Sequence, residues 1–87
     1  MNFDAAFITE QGVEICIFAT TMDVLSNEKE ADNLIRYCKK RIFVGFQVVL
    51  MAQDGQGIPH YYGKQDLIRL LESTTFSKIH FRRYTIP

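Results

Sequence analysis

The chain has no tryptophan, only two prolines and two cysteines among its 87 residues, and no formal net charge. Each shortage closes off a class of protein. Two cysteines cannot frame a disulfide-rich mini-domain, and Cys16 and Cys38 stand 22 residues apart in apolar surroundings without a C-x-x-C spacing. Two buried thiols in a reducing compartment are the expectation, with a disulfide between them left open. Two histidines and these two cysteines, none at ligand spacing, make a poor metal site, so neither metal nor cofactor is expected. Met1-Asn2-Phe3-Asp4 has neither the basic start nor the apolar run of a signal peptide, which places the expected location in the cytoplasm. No apolar run approaches the roughly 20 residues that cross a bilayer, so no membrane contact is expected. A chain of this size makes one small domain, 1–87, that buries only about 60–65% of its unfolded surface.

What the chain does have is an uneven charge and one long apolar stretch. Met1 to Asn33 carries seven acids against Lys29, while Leu34 to Pro87 carries nine bases against three acids, so the halves stand at −6 and +6. Mutual attraction of the halves, within one chain or between two, is the simplest use of that asymmetry; a basic surface seeking an anionic partner is the other. Ile42 to Ala52 reads IFVGFQVVLMA, with Gln47 its one polar member. Rich in β-branched and aromatic types, it reads as a strand buried on both faces, running to Gln53 and central in its sheet.

The remaining elements follow from pattern and punctuation. Phe3–Thr9 and Val13–Thr20 flank Glu10-Gln11-Gly12 and suggest a hairpin. Asn27 with Glu30 three residues on approximates a capping box. It opens a helix whose stripe is Ala31, Leu34, Ile35, Cys38 and Ile42, with Lys39-Lys40-Arg41 at its negative end. Asp54-Gly55 marks a second hairpin, and Pro59 restricts the returning strand Ile58–Tyr62 to a short edge position. A second helix from Lys64 to about Ser73 presents Leu67, Leu70 and Leu71, and Ser77–Ile86 forms a last strand. The predicted fold is α+β, ββαββαβ: a mixed sheet of four to five strands with two helices packed on it. Phe3–Ile8 resembles Phe46–Met51, and Asn33–Arg36 resembles Asp66–Arg69, hinting at an internal repeat.

Two stretches are candidates for binding. On the last strand, alternation puts Lys78, His80, Arg82 and Tyr84 on one face and Ile79, Phe81, Arg83 and Thr85 on the other. Cations beside an aromatic suit single-stranded nucleic acid or another anionic partner, with Arg83 a further cation; the plainer reading is an edge strand kept unpaired by its charges. No RRM-type aromatic pair or KH glycine loop accompanies it in the sequence. The loop Asp54–Gly63 gathers Asp54, His60, Tyr61 and Tyr62, a possible ligand or enzyme site; the plainer reading is a tight hairpin. Gly55-x-Gly57 is no dinucleotide fingerprint, because no helix opens there. No nucleophile motif is visible, so a non-enzyme is expected.

If both helices share a sheet face, the other would expose Ala6, Ile8, Cys16, Phe18, Val49 and Met51, more than a monomer shows water. That leads to a homodimeric, non-catalytic protein-interaction or regulatory module as the first expectation. A nucleic-acid-binding domain on the C-terminal strand is the alternative, and a ligand or enzyme site around Asp54–Tyr62 the third.

Overall fold

The structure is a computed structural model that describes residues 2–74 and 79–86. Its strands are β1 (Asn2–Glu10), β2 (Val13–Ala19), β3 (Gln47–Gln53), β4 (Pro59–Tyr62) and β5 (Arg82–Thr85). Its helices are α1 (Met22–Leu25), α2 (Glu28–Tyr37) and α3 (Gln65–Glu72). The five strands make one mixed sheet in the order β4-β3-β2-β1-β5. Only β2 and β3 run parallel; the other neighbours are antiparallel. The α+β expectation therefore holds, with one extra helical turn, α1, ahead of α2.

Local chemistry explains the joints. Gln11 and Gly12 both take positive φ (52° and 80°), the geometry of the tight turn that fits the twist of two paired strands. Asn27 caps α2 as expected, its Oδ1 accepting from the Glu30 amide at 3.1 Å. Thr21 caps α1 in the same way through Val24.

Three strand expectations need correction. The apolar stretch from Ile42 does not enter the sheet until Gln47. The α2 stripe continues at helical spacing through Cys38 to Ile42, so the helix runs on as a π-type turn, Cys38–Ile42. Gly45 (φ 92°) then reverses the chain, with the Phe46 amide donating to the Phe43 carbonyl at 3.1 Å. Nor is β3 the middle strand: β2 is, and β3 lies inside with β4 beyond it at the edge. The last strand is shorter than its pattern, Arg82–Thr85 in place of Ser77–Ile86. Residues 79–81 are not strand, and 75–78, including Lys78, lie outside the described residues.

Alternation along the strands builds two cores. Phe3, Ala5, Cys16, Phe18, Val48 and Leu50 face α2 and pack with its Ala31 and with Cys38. Ala6, Ile15, Ile17, Val49 and Met51 face the other way and pack with Leu67 and Leu71 of α3 and with Ile79. The helices thus take opposite faces. Of the residues that a one-sided arrangement would expose, Ala6, Cys16, Phe18, Val49 and Met51 are buried and Ile8 is partly so. Neither face is wholly bare, and the expected dimer loses that support. Among the described residues no helix is long and apolar enough to cross a membrane.

Candidate functional site

The α2 side of the sheet is covered unevenly. α2 packs on β3, and the β1–β5 half of the same face is left to the turn that carries Phe43 and Phe46. Register decides what stands there. Phe3 pairs with Tyr84 and Ala5 with Arg82, so Arg82 and Tyr84 rise on the same face as Phe3, Ala5 and, two residues on, Phe7. The Phe3 ring stacks on Tyr84 at 5.7 Å. Phe7 meets Tyr84 edge-on at 5.9 Å and both Phe43 and Phe46 at 5.2 Å. Despite three ring neighbours, Phe7 is 40% exposed, and Val44 in the adjoining turn is 71% exposed.

His80 joins this group. With Ala6, Phe7, Arg82 and Tyr84 it lines a shallow cleft of about 320 Å³. Among the described residues neither His80 nor Arg82 has a side-chain hydrogen bond or ion pair. The site is therefore a shelf of aromatic rings with the Arg82 guanidinium and the His80 imidazole, neither partnered among the described residues, at its rim.

Of the five residues predicted on this strand, His80, Arg82 and Tyr84 come together. Arg83 does not: it stands on the opposite face, where its Nε donates to Asp4 Oδ1 at 2.6 Å. That hydrogen bond holds the Asp4 carboxyl below the usual carboxylate range and raises the Arg83 guanidinium. Lys78 is not among the described residues. Sequence reading missed Phe7 and Phe46. Only strand pairing brings Phe7 beside Tyr84, and nothing local marks it out from the apolar residues around it.

The loop candidates divide. Asp54 accepts from the amides of Gln56 (2.8 Å) and Ile58 (3.0 Å) through Oδ1, and its Oδ2 lies 2.9 Å from His60 Nε2. The His60 hydrogen bond first, then the two amides, hold the Asp54 carboxyl below its ordinary range. Asp54 thus organises its own hairpin, in which Gly57 rather than Gly55 supplies the positive φ (81°). Tyr61 and Tyr62 point to opposite faces, Tyr61 into the α3-side core and Tyr62 towards α2, where its hydroxyl donates to Asp32 Oδ1 at 3.0 Å. The four residues do not converge on one cavity. Asp54→Ala is expected to speed amide exchange at Gln56 and Ile58 well beyond the effect of His60→Ala, which removes one of three hydrogen bonds. Because the folded carboxyl titrates low, this contribution is present above the ordinary carboxylate range and fades as pH falls through it. Equal exchange rates in the two variants would show that Asp54 does not order the turn.

Among the described residues no cluster of three or more histidine, cysteine or acidic side chains could hold a metal ion. No family model, curated protein or solved structure matches the chain.

Proposed function

We propose that this protein is a non-catalytic binding module and that its ligand is single-stranded nucleic acid, held on the Phe7–Tyr84 shelf. One observation carries the reading: the β1–β5 pairing sets two partly exposed rings beside Arg82 and His80, whose side chains have no partner among the described residues. Every base offers a π-face to such rings, and cations at the rim meet phosphate. On this reading Lys40 and Arg41, just ahead of the turn that packs on Phe7, supply the further phosphate contacts. A cytoplasmic location suits both the ligand and two unpaired thiols.

With about three phosphate contacts, log affinity should fall with log salt at a slope near −2, since single strands give about −0.7 per contact. Fluorescence anisotropy of a labelled mixed-sequence oligonucleotide reads this directly. Binding is expected at low salt, weakening about 16-fold between 50 and 200 mM salt. Phe7→Ala should weaken it about tenfold further, a typical loss for one stacking platform. No anisotropy change at low salt, or binding indifferent to both Phe7→Ala and Arg82→Glu, sinks the proposal.

Self-association through the exposed Phe7 and Val44 is the second reading, and it keeps the homodimeric interaction module in play. Light-scattering mass decides it: a dimer that Val44→Asp converts to monomer would assign the shelf to a second copy.

A further inference from the structure

A separate cleft, of about 330 Å³, opens on the β3–β4 side of the sheet, whereas the aromatic shelf lies on the β1–β5 side. Its size falls at the small end of the range for ligand cavities. Both helical layers contribute to it. Its apolar lining comes from Ile35 of α2, Val48 of β3 and Leu67 of α3. Its polar lining comes from Lys39, just after α2, Lys64, just before α3, and Gln47 at the start of β3.

The charge at this cleft is unbalanced. Asp32 is its one acid, and the Tyr62 hydroxyl already donates to it at 3.0 Å. Lys39 and Lys64 have no ion pair among the described residues, and the Gln47 side chain has no hydrogen-bond partner among them. Among the lining residues two ammonium groups against one carboxylate leave a surplus of one positive charge; Glu28, which also acts on the Tyr62 hydroxyl, does not line the cleft. A monoanion cancels that surplus; a dianion overshoots it. The apolar lining asks for an apolar body behind the charged group.

We infer that this cleft binds a small monocarboxylate with an apolar body. The carboxylate lies between Lys39 and Lys64 with Gln47 as a further donor, and the body rests on Ile35, Val48 and Leu67. This site is independent of the nucleic-acid shelf, and neither proposal stands or falls with the other.

The test titrates phenylpropionate, and in parallel its uncharged amide, into the whole chain while amide NMR shifts are followed at Val48 and Gly63. The carboxylate is expected to give saturable shifts with a millimolar or tighter Kd, and the amide to bind at least tenfold more weakly. Lys39→Met with Lys64→Met keeps the side-chain stems and removes the charges. It should weaken phenylpropionate at least tenfold. Absence of saturable shifts with the carboxylate overturns the inference, as does equal binding of acid and amide. Equal binding by the double variant overturns it too. The acid–amide comparison needs only the wild-type chain, so it decides the matter even if the double variant folds poorly.

Discussion

Leu50→Ala and Ile17→Ala are each expected to remove about 2–5 kcal/mol from the folding free energy, read from urea melts near neutral pH. Both side chains are fully buried, on neighbouring strands. Leu50 belongs to the α2-side core and Ile17 to the α3-side core. An 87-residue domain has roughly 4–13 kcal/mol in total, so either truncation takes a large share of it. On a sheet packed from one side, one of the pair would be mild. Val44→Ala, at a position 71% exposed, should move stability by no more than about 0.5 kcal/mol and serves as the control. A loss under about 1 kcal/mol at either core position would show that its face is loosely covered.

The same melts address assembly. A single copy that covers both faces unfolds at a midpoint independent of protein concentration, whereas a stabilising second copy makes the midpoint rise with it. The cover is thin, since α2 has ten residues and α3 eight. That economy explains the shelf. With α2 packed on β3, the β1–β5 half of its face is shielded among the described residues chiefly by the Phe43 and Phe46 rings, and Phe7 stays partly wet. The proposed binding surface is thus a by-product of how few residues are available to close the core.

Residues that carry a local signal were legible in the sequence. Asn27 with Glu30, the Gln11-Gly12 turn, Pro59 at an edge and the helical stripe from Ala31 each bias the backbone within a few residues of themselves. Gly45 was the exception. It sits inside an apolar stretch that reads as continuous strand, yet the α2 stripe claims Ile42 and the glycine's positive φ breaks the rest. Which face each helix covers was open, because alternation sorts Leu50 from Val49 but says nothing about where Leu67 will dock. The site was half legible for the same reason. His80, Arg82 and Tyr84 share a face by period alone, whereas Phe7 is 77 residues from Tyr84 in sequence and reaches it only through the pairing of β1 with β5.

Stability should fall as pH rises above about 9, and much of the fall should vanish when the two thiols are removed. Cys16 and Cys38 are fully buried in the α2-side core. Burial pushes the Cys38 thiol up to about 11 and the Cys16 thiol to about 12, the latter with a smaller contribution from Cys38. Unfolded, both would titrate near their ordinary value of 9.0. Between those values the unfolded chain holds fewer protons than the folded one, so each step up in pH favours unfolding; below 9 the contribution is complete. Tyr61 and Tyr62 are also raised, by burial and, for Tyr62, by its bond to Asp32 as well, so some alkaline loss remains when the cysteines are gone. Urea midpoints at pH 8 and pH 10 should therefore converge in Cys16→Ala and Cys38→Ala relative to wild type, although both variants start lower for lack of a core atom. Alkylation provides an independent reading. At pH 8 an ordinary thiol is about one-tenth thiolate, whereas these would be about one part in a thousand and one part in ten thousand. Native labelling should then be at least a hundredfold slower than in denaturant, and access adds to that factor. Fast labelling of folded protein, or identical pH dependence in wild type and both variants, would show that the thiols are not held in a dry core. In that case the α2 side of the sheet is less closed than its packing implies.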